Sequence, residues 1–252
     1  MFATLKRRLR AMLRPETVLH RGQILPSKNL RFGGVHFQDN EGFLSAGERD
    51  AKRLTEWCGL NAQSALLDIG CGTGRLAIGI MSTLGTIRQY EGVDVSATAV
   101  EWCSRYLPPH DPHFHFTLIN IQNERYNPAG GTISNAFRLP FADHTFDIIQ
   151  LYSVFSHMRS PDVRAYLKEF ARLLAPNGSV FLTAFVEEGV LDEEENPPNY
   201  IMQWKGALHC VRFSQSFFRT MVEEAGLRIA KMTHQSDTDG QSAFLLVLRP
   251  TP

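Results

Sequence analysis

Short apolar runs and amphipathic stretches alternate along most of the chain. Five apolar runs are predicted as strands from their length and their Val, Ile, Phe and Tyr content, at 65–69, 89–95, 113–119, 145–152 and 179–185. Apolar residues at helical spacing predict helices between and around them, at 45–60, from 75 onward, at 97–106, 160–174 and 214–225. Two last strands, 227–234 and 243–248, flank the polar turn 237–240. The alternation favours an α/β fold with a seven-stranded, mostly parallel sheet, helices on both faces and a C-terminal antiparallel strand pair.

Three glycines at alternate positions follow the first of these strands. Gly70, Gly72 and Gly74 stand between the apolar run and a helix that begins at Arg75. A strand, a glycine turn and a helix let the backbone approach a nucleotide-like ligand and direct helix N–H groups at an anion. Asp68, two residues before the first glycine, offers a carboxylate to a cationic group of such a ligand. The spacing differs from Gly-x-Gly-x-x-Gly, because Arg75 stands where that pattern needs its last glycine.

An acid ends the next predicted strand. Asp94 stands twenty positions after Gly74, and a carboxylate at a strand tip can accept both ribose hydroxyls of an adenosine. The two stretches LDIGCGTGR and EGVDVS resemble the class I S-adenosylmethionine-dependent methyltransferases. The later stretches FDIIQLYSVFSHM and LLAPNGSVFLTAF resemble the fourth strand, the next helix and the fifth strand of that family. The resemblance therefore extends from about residue 45 to the C-terminus.

This resemblance implies a Rossmann-like fold with S-adenosylmethionine as the cofactor. The cofactor contacts that it implies are Asp68, Gly70, Cys71, Gly72, Gly74, Asp94, Val95, Asn135, Ala136 and Tyr152. In the family, an Asp-Ala pair ahead of Leu-Pro-Phe contacts the adenine amine, and Asn135 takes the place of that Asp here. An amide oxygen can also accept a hydrogen bond from the amine, so the contact is still expected.

Residues with polar or titratable side chains follow the strand at 145–152, at the edge where open α/β sheets bind ligands. We interpret His157 either as the general base of an oxygen methylation or as a residue that packs against the following helix. The candidate acceptor contacts are Ser153, His36, Trp204 and His209, of which His209 is also a reserve base. No Asn/Asp-Pro-Pro-Tyr/Phe motif follows the strand, which argues against methylation of exocyclic base amines, and no carboxylate cluster predicts a metal site. By similarity to small-molecule methyltransferases, the expected acceptor is a hydroxyl of a sugar, glycolipid or secondary metabolite.

The chain outside the predicted core divides into an arm, a flap and a lid. We predict an N-terminal arm and flap over 1–44 and a methyltransferase-like domain over 45–252, with a lid insertion at about 186–212. The acidic run 192–195 within that lid is predicted as a solvated loop. A helix over residues 1–14 would be amphipathic, with its basic residues opposite Phe2, Leu5, Leu9, Met12 and Leu13. Such a helix fits either peripheral membrane contact or packing on the domain.

Charge is unevenly distributed although the formal net charge of the 252 residues is zero. Residues 1–31 hold eight basic residues against one acid, whereas the remainder holds 18 basic and 25 acidic residues. An acidic body argues against a nucleic-acid partner. The four cysteines are far apart and form no Cys-x-x-Cys, which fits a reduced, cytoplasmic chain. No apolar run has the length of a membrane span.

Three other functions remain open from the sequence. A nicotinamide dehydrogenase would also use a glycine turn, although Arg75 and Asp68 argue against it. A methyltransferase acting on nitrogen or carbon cannot be separated from one acting on oxygen. A non-catalytic binding module with the cofactor fold is the third alternative, which the intact glycines and Asp94 disfavour.

Overall fold

A computed structural model of the chain describes residues 16–133, 137–198 and 200–250. The predicted N-terminal helix and the predicted cofactor contacts Asn135 and Ala136 lie outside the described residues. The described strands are β1 Thr17–His20, β2 Gln23–Pro26, β3 Ala65–Ile69, β4 Gln89–Asp94, β5 Phe114–Leu118, β6 Phe146–Leu151, β7 Leu174–Glu187, β8 Glu193–Glu195, β9 Val211–Ser214, β10 Leu227–Thr233 and β11 Ser242–Leu248. The described α-helices are α1 Asn40–Cys58, α2 Arg75–Thr83, α3 Ala97–Tyr106, α4 Ser160–Leu173 and α5 Gln215–Glu224.

Seven strands form the main sheet in the order β10-β11-β7-β6-β3-β4-β5. Strands β3 to β7 pair in parallel, whereas β11 is antiparallel to both β7 and β10. The predicted α/β fold and its C-terminal antiparallel pair are therefore confirmed. The short strand β9 extends the sheet beside the end of β7, and β8 pairs with β9. No helix among the described residues has the length and hydropathy needed to span a bilayer.

Apolar side chains cover both faces of the sheet, as expected for parallel strands between helices. Every residue of β3 is buried. One face packs on α1, α2 and α3, for example through Leu66 and Tyr90. The other packs on α4 and α5, for example through Leu67 and Ile149. The sheet is therefore rigid on both sides, and its strand ends are fixed points on which a site can be built.

Helix α1 begins five residues earlier than the sequence predicts. Its N-cap is Asp39, whose carboxylate accepts a hydrogen bond from the Gly42 backbone at 2.8 Å. Ser45, the predicted start, lies inside the helix, where its hydroxyl donates to Glu41. The predicted border between flap and domain at residue 45 therefore falls within α1, because an acid capped the helix in place of the serine.

Helices α1 and α2 cross at two glycines. A Cβ added at Gly47 would overlap the carbonyl oxygen of Arg75, and one added at Gly79 would overlap the backbone of Gly47. Neither glycine has a positive φ, so the requirement is for space and not for backbone conformation. Two helix backbones can approach this closely only where neither residue carries a side chain.

The acidic run in the lid is an ordered strand, and its prediction as a solvated loop is wrong. Glu193 accepts a hydrogen bond from the Ser160 backbone at the start of α4, at 2.7 Å. Glu194 pairs with Arg212, and Glu195 pairs with Arg159 at 2.7 Å. Each of the three half-buried carboxylates therefore has a partner that is distant in sequence, which local charge patterning could not reveal.

Candidate functional site

A cavity of about 290 Å³ lies at the carboxyl ends of β3, β4 and β6. Its walls are the glycine turn, the tip of β4, the connection between β5 and β6, the residues after β6 and the flap before α1. Parallel strands bring all their carboxyl ends to one edge, which explains why segments far apart in sequence meet here. From the predicted site, Asp68, Gly70, Cys71, Gly72, Asp94, Val95, Tyr152, Ser153 and His157 line the cavity.

The glycine turn leaves one backbone segment open to the cavity. Gly72 has a φ of 51°, and a Cβ there would meet only the Phe32 ring, at 3.8 Å. Gly74, in contrast, packs away from the cavity, because a Cβ there would lie 2.7 Å from the Leu107 side chain. Gly72 thus offers its backbone to a ligand, while Gly74 permits the close packing of the turn on α3.

Asp94 holds the glycine turn from the tip of β4. Its two carboxylate oxygens accept hydrogen bonds from the backbone N–H groups of Gly72 and Ser96, each at 2.8 Å. Burial raises the pKa of this carboxyl, which these two hydrogen bonds oppose. Each carboxylate oxygen has a second acceptor position, so Asp94 can bind two ligand hydroxyls without releasing the turn.

Asp68 lies at the base of the cavity and is only 3% exposed. Burial raises the pKa of its carboxyl to about 7, although the Tyr90 hydroxyl that donates to it and the nearby Arg75 both act in the opposite direction. A carboxyl with such a pKa is poised to ionise when a cationic group arrives.

A charged network beside the cavity was missed by the sequence analysis. The Arg75 guanidinium pairs with Asp50 and lies over the Phe37 and Tyr152 rings, 4.8 and 4.9 Å from their centroids. Arg53 pairs with Asp50 at 2.8 Å and also with Asp237. The Tyr152 hydroxyl donates to Asp237 at 2.6 Å, across 85 residues of sequence. The only signal in the sequence was that Asp50 and Arg53 fall on the inward side of a predicted helix. Asp237 was predicted only as part of a turn.

His157 is held in one tautomer. Its Nδ1 donates to the Leu208 carbonyl at 2.8 Å, so Nε2 is the acceptor nitrogen. Burial lowers the pKa of this imidazole to about 4. Tyr126 packs edge-on against the ring with the centroids 5.4 Å apart. With the proton on Nδ1, Nε2 is the acceptor nitrogen of a neutral imidazole at the cavity wall.

Ser153 is fixed by three polar neighbours. Its hydroxyl lies 3.1 Å from that of Ser156 and accepts a hydrogen bond from the Gln241 amide at 2.9 Å. Its backbone N–H donates to Thr183, and its φ of 57° is in the left-handed region. These contacts orient the chain where it leaves β6 and turns toward His157.

Three predicted acceptor contacts lie away from the cavity wall. His36 is exposed in a short 3₁₀ turn, Val35–Gln38. Trp204 packs on Phe185 and on His209, with ring centroids 5.6 and 5.3 Å apart. The lid aromatics therefore stabilise the lid itself, and the role of these three residues in acceptor binding stays a prediction. No group of three or more His, Cys, Asp or Glu side chains in the described part of the chain is arranged to hold a metal ion.

The chain is similar in sequence to known methyltransferases. The sequence profile of a family described as "Methyltransferase domain" matches residues 43–231. Methyltransferase GfsG of Streptomyces halstedii is 25% identical over 200 residues, which are 76% of this chain and 63% of that protein. O-methyltransferase resE of Aspergillus sclerotiorum is 30% identical over 131 residues, 52% of this chain and 43% of that protein. The chain thus spans less than two thirds of the length of these curated relatives.

A similar fold is also found among solved structures. The structure of magnesium protoporphyrin IX methyltransferase from Synechocystis, with bound S-adenosylmethionine, matches with a TM-score of 0.53 at 16% identity. The match covers 87% of each chain. At this identity the likeness concerns the fold alone.

Proposed function

The chain belongs to the methyltransferase-domain family, whose members depend on S-adenosylmethionine, and on that premise we propose that it methylates a hydroxyl oxygen of a small molecule. The observation that supports the cofactor site is the open backbone at Gly72 beside Asp94. A nucleoside fits this pair, because the carboxylate can accept two hydroxyls while the turn exposes N–H groups to an anion. Asp68 adds a carboxylate for a cationic group.

The cofactor supplies a methyl group already activated by a sulfonium. The protein's tasks are to align the acceptor oxygen, to exclude water and to take up a proton. Nε2 of His157 can accept a hydrogen bond from the acceptor hydroxyl, because Leu208 holds the proton on Nδ1. In methyl transfer the acceptor oxygen would gain the methyl carbon as the methyl–sulfur bond breaks, and its hydroxyl would become strongly acidic, so even a base with a pKa of about 4 would take the proton.

The cofactor assignment is tested by titrating the purified protein separately with S-adenosylhomocysteine and with NADH. We expect micromolar binding of the first and none of the second. Binding of NADH alone would replace the assignment with a nicotinamide site. Transfer of a labelled methyl group to a panel of hydroxylated small molecules then tests the acceptor, and a nitrogen- or carbon-linked product would refute the hydroxyl assignment.

Replacing the proposed base should separate catalysis from binding. We expect His157→Ala to lower turnover at least tenfold, since general bases typically contribute about 10²–10⁴-fold, and to leave the affinity for S-adenosylhomocysteine unchanged. Wild-type turnover should show no inflection near pH 6.5, because burial keeps this imidazole neutral down to about pH 4. His110→Ala, an exposed histidine outside the cavity, is the control. Unchanged turnover in His157→Ala would assign the residue to packing.

Cofactor affinity should depend on pH through Asp68. Its pKa of about 7 means that the carboxyl is mostly protonated at pH 6, and a bound ammonium would favour the ionised form. The affinity for S-adenosylhomocysteine should therefore rise roughly tenfold between about pH 6 and pH 8, with proton release on binding. Calorimetry in buffers of different ionisation enthalpy measures both. Asp68→Asn should remove the dependence, and a wild-type affinity that is constant with pH would refute the role of Asp68.

A further inference from the structure

Leu208 has a backbone conformation that residues with a side chain rarely adopt. Its φ is 49°, in the left-handed region, and its side chain is buried in the core. Residues other than glycine persist in this region only where several contacts fix them, and such residues concentrate at functional sites. Leu208 lies in the lid, between β8 and β9. A left-handed leucine at this position therefore needs contacts that hold it.

Two hydrogen bonds, one on each side of its Cα, fix the Leu208 backbone. Its N–H donates to Oε1 of Glu195 at 2.9 Å, and its carbonyl accepts the Nδ1 proton of His157 at 2.8 Å. The other carboxylate oxygen of Glu195 accepts from Arg159, which lies two residues after His157, at 2.7 Å. Because the buried side chain anchors Leu208, the direction of its carbonyl depends on Glu195.

The connection between β5 and β6 completes this network from the other side. The Asn123 amide donates to the backbone carbonyl of His157 at 3.0 Å, and Glu124 accepts from Arg159 at 2.8 Å. Oδ1 of Asn123 accepts two backbone N–H groups of its own loop, so the amide is itself fixed. The connection therefore holds the backbone of His157, whereas the lid orients its ring.

The ion pair with Arg159 does not by itself explain why Glu195 is placed here. The Glu195 and Arg159 side chains are 30% and 44% exposed, and solvent screens such a pair. The hydrogen bond from the Leu208 N–H is instead the main cause that holds the pKa of the Glu195 carboxyl below its usual range. The backbone of Leu208 is therefore the more important partner of this carboxylate.

Resting on the proposed function, we propose that Glu195 is a positioning residue for His157 and acts through the backbone of Leu208. The carboxylate holds Leu208 in its left-handed conformation, and the Leu208 carbonyl keeps the imidazole proton on Nδ1. Which nitrogen of a neutral histidine carries the proton is set by the hydrogen bond that the ring makes. Nε2 thereby stays the nitrogen that takes the proton of the acceptor.

The test separates the reach of the Glu195 side chain from its charge. Glu195→Gln keeps an oxygen for the Leu208 N–H and loses the charge, whereas Glu195→Asp keeps the charge on a side chain that is shorter by a methylene. We expect Glu195→Asp and Glu195→Ala to lower turnover at least about tenfold, since a small misplacement of a catalytic group can cost about 10²-fold. Glu195→Gln should keep most of the turnover, and affinity for S-adenosylhomocysteine should be unchanged throughout.

Glu194→Ala is the matched control. Glu194 is the neighbouring carboxylate of the same strand and pairs with Arg212. Its removal also costs the lid an ion pair, so general weakening of the lid would lower turnover in this variant as well. We expect Glu194→Ala to keep wild-type turnover. The opposite order, with Glu195→Asp active and Glu195→Gln impaired, would show that the charge matters and would overturn the inference.

The tautomer of His157 supplies a readout that needs no acceptor. Nitrogen NMR shifts distinguish the protonated from the unprotonated imidazole nitrogen, and His157→Ala identifies the signals by their loss. We expect the Nδ1–H tautomer alone in the wild type, Glu195→Gln and Glu194→Ala, and a mixture of tautomers in Glu195→Asp and Glu195→Ala. An unchanged tautomer in Glu195→Ala would overturn the inference. If His157→Ala kept full turnover, the proposed general base would fail instead, so the two failures are distinguishable.

Discussion

Asp94→Ala is expected to abolish measurable binding of S-adenosylhomocysteine. The proposed contact is a pair of hydroxyl hydrogen bonds to one carboxylate, and hydrogen bonds to charged groups contribute about 1.5–3 kcal/mol each. Losing both should weaken binding by at least about a hundredfold. The same carboxylate accepts hydrogen bonds from the backbone N–H groups of Gly72 and Ser96. The substitution therefore also removes the hydrogen bonds that hold the glycine turn in place.

The substitution should therefore lower stability as well as affinity. Two backbone donors lose their acceptor, at about 1–3 kcal/mol for each that stays buried. Asp147→Ala is the matched control. Asp147 also accepts a backbone hydrogen bond, from Ala65 at 2.8 Å, but at the opposite end of the parallel strands. We expect it to lose stability and to keep its affinity. An Asp94→Ala protein that binds S-adenosylhomocysteine normally would show that the ribose assignment is wrong.

Gly79→Ala is expected to destabilise the protein by about 3 kcal/mol or more, which corresponds to a fall in melting temperature of roughly 10 °C. The added methyl group would overlap the backbone of Gly47, and a backbone cannot move aside as a side-chain tip does. Relief requires α1 to move away from α2. Because Asp50 on α1 holds Arg75 on α2, cofactor affinity should fall with stability.

Gly34→Ala is the control for the effect of the substitution itself. A Cβ at Gly34 would meet nothing within 4 Å, and its backbone is in an ordinary conformation. Thermal unfolding of the two variants beside the wild type measures the difference. If Gly79→Ala melted within about 2 °C of Gly34→Ala, the close crossing of α1 and α2 would not be a source of stability.

The strands and helices that were predicted correctly are those whose formation depends on residues adjacent in the sequence. Ala65–Ile69 is a strand because five apolar residues precede a glycine turn, and Arg75 begins α2 as the pattern indicates. The start of α1 was placed too late because two residues, Asp39 and Ser45, could both cap a helix. Local sequence could not choose between them, since the choice depends on how the flap packs.

Contacts between residues distant in sequence explain most of what was missed. The Arg53–Asp237 pair and the hydrogen bond of His157 to Leu208 join segments that the sheet order brings together. The pairing of Glu193–Glu195 with β9 has the same origin. A side chain's neighbours along the chain contain no information about these partners.

The sequence by itself determined the α/β fold, the glycine turn and the acid at the tip of β4, because each depends on the periodicity or backbone freedom of a few adjacent residues. Only the tertiary structure decided what those groups can do. Burial sets the pKa of Asp68 and of His157, and the folded lid places the Leu208 carbonyl beside His157. Charge, solvation and proximity are properties of the folded chain, because they depend on groups that meet only when the strands have paired.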